Sequence, residues 1–146
     1  YRRRNRRAAL GGAQLSRRDA MIVRRREIRN RYAAELADLP GVGVMGRTAG
    51  LDDSKDNHWL TCITLPSGIS PDDVVAELSS ENIEARHLWK PMHLQPVFAG
   101  ARAFVNGTSQ RLFETGLSLP SGSVLTDVEV ARVDAALAPF VGGRRG

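Results

Sequence analysis

Residues 8–39 constrain the fold most, because they read as one long helix with a single apolar face. Met21, Ile28, Tyr32, Leu36 and Leu39 recur at steps of seven, four, four and three, which strings them along that face. The segment is rich in Ala, Leu, Arg and Glu, all good helix formers. Pro40-Gly41 then stops it, since proline cannot continue a helix and glycine frees the turn. Charge is distributed just as unevenly. Residues 1–31 hold twelve arginines against Asp19 and Glu27, whereas the rest of the chain is mildly acidic, so the net charge of +5 hides a strongly basic end. Such a segment suits a polyanion-binding arm, or a helix that faces another part of a larger protein. Composition does not choose between them.

After the helix stop, Val42 to Met45 reads as a short strand and Gly46 to Asn57 as a polar surface loop. His58 to Leu65 is a dense aromatic, β-branched and apolar run ending at Pro66, as a central strand would. Ser70-Pro71-Asp72-Asp73 is a helix start with a serine cap, an early proline and acids at the positive end of the dipole; Val74, Val75 and Leu78 give that helix its buried side. Ile83 to Leu88 reads as a returning strand and Leu117 to Leu119 as a last one. Thr126-x-x-Glu129 is a capping box, with Leu125 placed to staple against Val130 and Val133, Leu137 and Phe140 continuing at helical spacing. The pattern suggests a small α/β sandwich of helices on a sheet. A chain of 146 residues is long enough for one such domain. No stretch approaches the roughly 18 apolar residues of a membrane span. No signal-peptide pattern is present, and the lone Cys62, read as buried packing, makes no internal disulfide; a cytoplasmic protein is expected.

The segment from Trp89 to Phe98 carries the most chemistry: two prolines and two aromatics bracket Lys90, His93 and Gln95 in a loop about twenty residues long. Lys90 and His93 suit a phosphate, Trp89 or Phe98 a stacked base, and Gln95 a polar edge. The plainer reading is a connector stiffened by proline, with aromatics capping the core. His58, His87 and His93 have no ligand spacing, so no metal site is expected and His58 reads as structural. Asp72 and Asp73 are helix-start acids, and Ser121-Gly122-Ser123 is a turn with no nucleophile signature.

The string Arg86-His87-Leu88-Trp89-Lys90-Pro91-Met92-His93-Leu94-Gln95-Pro96-Val97-Phe98 resembles the substrate loop of the DegT/DnrJ/EryC1/StrS nucleotide-sugar aminotransferases. It is most similar to the branch that aminates UDP-4-keto-6-deoxy-N-acetylglucosamine. Further similar strings follow in family order: Ala8-Ala9-Leu10-Gly11, Asn57-His58-Trp59-Leu60-Thr61, Asn106-Gly107-Thr108-Ser109 and Gly116-Leu117-Ser118-Leu119-Pro120-Ser121-Gly122. The resemblance implies an α/β fold: the C-terminal small domain of a fold type I pyridoxal-phosphate-dependent aminotransferase. Residues 1–39 would be the basic interdomain helix, 40–141 the small domain and 142–146 a flexible tail. It further implies a dimer with shared active sites, a large pyridoxal-phosphate-binding domain or chain as partner, glutamate as amino donor and a nucleotide sugar as acceptor, in polysaccharide or glycan biosynthesis.

The family's Schiff-base lysine lies upstream of every matched position, leaving only Lys55 and Lys90 here. No catalytic residue is therefore expected in this chain, which should be inactive alone. Trp89, Lys90, His93 and Gln95 are the substrate-binding residues that the resemblance implies. Tyr1-Arg2 matches the end of the family's Gly-Tyr-Asn-Tyr-Arg motif, making Arg2 an anion or cofactor-phosphate contact, although Arg3, Arg4, Arg6 and Arg7 stand where the family has small or apolar residues. The alternative is a non-catalytic fragment whose arginine-rich helix binds a polyanion or drives oligomerisation; no recognised nucleic-acid motif accompanies it.

Overall fold

The computed structural model describes residues 11–46, 50 and 52–141. Arg2 and the tail from residue 142 lie outside the described residues. Residues 11–16 are helical, a turn follows at Arg17, and α1 runs over Arg18–Glu35. The break is local, because Met21 N still donates to the Arg17 carbonyl at 3.1 Å. Ile28, Tyr32 and Leu36 are buried as their spacing predicts, with Met21 and Leu39 partly covered. The helix ends four residues short of the expected Leu39, and Leu36 to Gly41 fold into successive turns. Pro40 disfavours helical geometry in the residue before it, so the chain leaves the helix early.

Four short strands form one antiparallel sheet in the order β1-β2-β4-β3: β1 (Gly43–Val44), β2 (Thr61–Thr64), β3 (Arg86–His87) and β4 (Gly116–Leu119). The strand expected from His58 begins only at Thr61. His58 sits in left-handed backbone geometry at φ 48°, and two side chains take up the amides that a strand would pair. Asp56 Oδ1 accepts from His58 N at 2.8 Å, and Asn57 Oδ1 accepts from Trp59 N at 3.0 Å. The returning strand is likewise shorter than Ile83–Leu88, since only Arg86 and His87 pair with β4.

Thr61, Ile63 and Leu65 alternate inward along β2, and Leu117 and Leu119 do so along β4. This face meets α1, α2 (Pro71–Ser80) and α4 (Asp127–Val141) in one core with Ile28, Tyr32, Val74, Leu78, Val130, Val133 and Leu137. Both cap signals are realised. Ser70 Oγ accepts from Asp72 N at 3.2 Å, Thr126 N donates to Glu129 Oε2 at 2.7 Å, and Glu129 N returns to Thr126 Oγ1 at 3.3 Å. Cys62 lies on the other face of the sheet, only half-buried rather than packed in the core; burial raises its thiol pKa, and a hydrogen bond with Ser118 opposes the rise.

Most of the arginines on α1 are spent inside the molecule. Arg24 holds the Leu125 carbonyl at 2.7 Å and Asp127 Oδ1 at 2.8 Å, fastening α1 to the start of α4. Arg26 Nε donates to the ring of buried His58 at 3.0 Å, and buried Arg29 donates to the Met45 carbonyl at 3.1 Å. Arg31 pairs with Asp134 of α4 at 3.4 Å. That last pair is poorly satisfied: both Asp134 oxygens are buried without a hydrogen bond among the described residues. Burial raises the carboxyl pKa, nearby Glu35 adds to the rise, and Arg31 opposes it. A raised carboxyl favours the protonated form in the fold, so its contribution to stability is present at low pH and lost as pH climbs through the folded value. Asp134→Asn should therefore have a higher urea midpoint than the parent at pH 7, with the gap closing towards about pH 4. A lower midpoint at pH 7 would mean that the Arg31 pair outweighs the burial cost.

Candidate functional site

The chain leaves β3 through buried Leu88 and makes two 3-10 turns, Met92–Leu94 and Pro96–Phe98, before reaching α3 (Thr108–Thr115). Pro91 and Pro96 each precede or open a turn, where their fixed φ suits the geometry. The shape is held locally. Gln95 N donates to the Met92 carbonyl at 3.0 Å, Phe98 N to the Gln95 carbonyl at 2.9 Å, and Gln95 Nε2 reaches back to the Lys90 carbonyl at 3.1 Å. α3 was not anticipated from the sequence. Its cap is Gly107 at φ 80°, a left-handed position that a glycine adopts freely, and Asn106 Oδ1 accepts from Thr108 N at 3.1 Å.

Between the first 3-10 turn and the start of α3 lies an open cleft of about 650 Å³. His93, Phe98, Arg102, Phe104 and Ser109 face it, with Met92 on its wall. The Arg102 guanidinium lies over the Phe104 ring, 4.7 Å from its centroid. Among the described residues no carboxylate pairs with Arg102, and none of the residues lining the cleft is acidic.

Of the four residues expected at a substrate site, the cleft takes only His93 directly. Gln95 is turned back onto Lys90 and shapes the turn that presents His93, while the Lys90 side chain is exposed. Trp89 lines a second, smaller groove of about 300 Å³ with Trp59, Arg86 and His87. Its ring lies 6.4 Å from that of Trp59, and it stays 69% exposed. His87 Nε2 is 2.8 Å from Asp72 Oδ1, tying this groove to the start of α2. Arg102 and Phe104 escaped the sequence reading. Their signal is faint: one cation and one ring among small residues between Gly100 and Gly107.

Lys55 and Lys90 are both exposed, and neither lines either cleft. No group of three or more His, Cys, Asp and Glu among the described residues is arranged to hold a metal. Among the same residues no helix is long and apolar enough to cross a membrane.

A sheet backed by helices is the partial α/β build that this chain shares with solved sugar aminotransferases over about a third of their length. The model of the DegT/DnrJ/EryC1/StrS aminotransferase family matches residues 1–138, and the chain belongs to that family. EpsN of Bacillus subtilis (strain 168), assigned to the pyridoxal phosphate-dependent aminotransferases, is 43% identical over 137 residues, covering 91% of this chain and 34% of EpsN. The GDP-perosamine synthase of Caulobacter vibrioides is 32% identical over 145 residues, covering 94% of this chain and 37% of that protein. Among solved structures, the aminotransferase TlmJ from Streptoalloteichus hindustanus superposes with a TM-score of 0.79 at 24% identity, over 92% of this chain and 35% of TlmJ. DesI, solved in the presence of its TDP-sugar product, superposes with a TM-score of 0.76 at 28% identity, over 94% of this chain and 36% of DesI. The chain spans about a third of the length of the relatives it matches.

Proposed function

We propose that this chain forms the small-domain wall of a pyridoxal-phosphate-dependent aminotransferase that moves an amino group, from glutamate, to a nucleotide-linked 4-keto-6-deoxy sugar. The supporting observation is a pairing of presence and absence within one domain. The loop from Trp89 to Phe104 frames a formed cleft with His93 in it, while both lysines stand outside that cleft on the surface. When bound, pyridoxal phosphate supplies the electron sink for amino transfer, and a domain outside this chain holds it. The chain's own part is to bind and orient the sugar nucleotide. His93 faces the substrate, Gln95 fixes the turn that carries it, and Lys90 and Trp89 form the outer rim. Positioning of this kind accounts for a large share of rate acceleration when the reacting groups are well aligned.

The test mixes the purified chain with a polypeptide carrying the cofactor-binding domain of a family relative, glutamate and a nucleotide-linked 4-keto-6-deoxy sugar. Amino-sugar product is expected from the mixture and not from the chain alone, and His93→Ala should slow the mixture about tenfold or more. Product from the isolated chain, or no complex between the two polypeptides, would refute the reading. A polyanion-binding role for α1 is less well supported, because Arg24, Arg26, Arg29 and Arg31 already hold partners within the domain.

A further inference from the structure

We infer that Arg26, His58 and Asp56 form an acid-sensitive latch, which holds the entry to β2 against α1 only while the His58 ring is neutral. The ring is enclosed: its side chain is 0% exposed, and its backbone is left-handed at φ 48°. An arginine side chain carries donors and no acceptor. Arg26 Nε meets His58 Nε2 at 3.0 Å, so Nε2 must offer its lone pair and the ring proton stands on Nδ1. Nδ1 is buried without a hydrogen-bond partner among the described residues, and Asp56 Oδ2 lies 3.8 Å from it.

A second proton reverses the sign of the Arg26 contact. Placed on Nε2, it would set an imidazolium N–H against a guanidinium N–H, two cations with no acceptor between them. The new charge is drawn the other way, because the Asp56 carboxylate stands on the Nδ1 side. Asp56 Oδ1 already accepts from His58 N at 2.8 Å, so proton uptake keeps His58 with Asp56 and breaks its hold on α1. The neighbouring charges leave this balance in place. Arg29, one turn along α1, is engaged with the Met45 carbonyl at 3.1 Å and with Asp53 at 3.5 Å. Among the described residues no carboxylate other than Asp56 pairs with the ring, and Thr61 and Ser121 at the start of β2 are neutral. The latch acts on the groove beside it. Trp59 follows His58 directly and lines that groove with Trp89, and these are the chain's two tryptophans. Release of His58 therefore frees one wall of the groove and reports itself in tryptophan emission.

Imidazole nitrogen spectra and amide hydrogen exchange of the purified full chain test the latch. At about pH 8 the His58 proton should sit on Nδ1. On acidification to about pH 5 the protection factor of the Trp59 amide should fall about tenfold or more, and tryptophan emission should shift with it. The amide of Ile63, in the core, should keep its protection. Arg26→Gln should lose the response, because an amide both donates and accepts and so can face either ring state. Arg26→Lys keeps the charge and should keep the response. Arg26 is partly exposed, so both variants should retain the parent's circular dichroism. His87→Gln, which removes the other histidine of the groove, should respond like the parent. The latch is wrong if the proton sits on Nε2 at about pH 8, if Trp59 protection is unchanged on acidification, or if Ile63 loses as much. It is equally wrong if Arg26→Gln responds like the parent, or if His87→Gln abolishes the response.

Discussion

Tyr32→Ala should lose about 3–5 kcal/mol of folding stability, a third or more of what a domain of this size holds. Tyr32 is the largest fully buried side chain, at 0% exposed, and it stands at the centre of the face by which α1 joins the core. Truncation removes the ring and leaves a void between α1 and the sheet that rigid neighbours cannot fill. It also strands the Pro120 carbonyl, which accepts from the Tyr32 hydroxyl at 3.0 Å. Tyr32→Phe separates the two effects: the void disappears and about 0.5–1.5 kcal/mol of lost hydrogen bonding remains. Urea denaturation followed by circular dichroism measures both. A loss below about 1 kcal/mol in the alanine variant would show that α1 is not seated through this residue.

The same side chain predicts an alkaline limit. Burial pushes the Tyr32 phenol above its ordinary range, with a further push from Asp134 and an opposing one from Arg31. A raised pKa in the fold means that the associated stability is intact below about pH 10 and is lost as pH rises through the folded value. Tyr32→Phe should flatten that alkaline loss.

Gly116→Ala is the second large effect, and its cause is purely steric. Gly116 has φ −96° and ψ 141°, which any residue adopts, so backbone preference plays no part. A Cβ there would lie 2.2 Å from the Leu112 carbonyl oxygen and 2.2 Å from Leu88 Cδ1. Leu88 has rotamers to use, but the carbonyl belongs to the last turns of α3 and moves only if that helix moves. The expected cost is about 1–3 kcal/mol or more, read as a fall of several degrees in Tm. Gly116→Ala with the parent's Tm would mean that α3 and β4 do not approach this closely.

Local rules carried a large part of the architecture. The steps between Ile28, Tyr32 and Leu36 marked the face of α1 that is buried, and the Ser70 and Thr126 caps marked the starts of α2 and α4. Those signals depend on neighbours within four residues, which a linear reading sees. α3 lacked a comparable signal, since its cap is Gly107 in left-handed geometry, with Asn106 one residue earlier accepting from Thr108 N, and no serine or threonine cap marks it. The strand ends at His58 and Ile83 also went astray, because where pairing starts depends on which partner strand is present and not on the apolar run itself.

The candidate site divides the same way. The string from Arg86 to Phe98 was distinctive enough to place the chain in its family, and it contained His93. Sequence order could not show that Trp89, four residues earlier, faces a different groove with Trp59, or that Arg102 and Phe104 come round to complete the cleft of His93. Side-chain direction through two 3-10 turns changes with every residue, so neighbours in the chain part and distant residues meet. What the sequence alone determined was α1, α2 and α4, the caps that start α2 and α4, and the family to which the chain belongs. The tertiary structure decided which cations are spent holding α1 down and which one, Arg102, faces the open cleft without a carboxylate partner among the described residues, because the supply of carboxylates and carbonyls is set by packing across the chain.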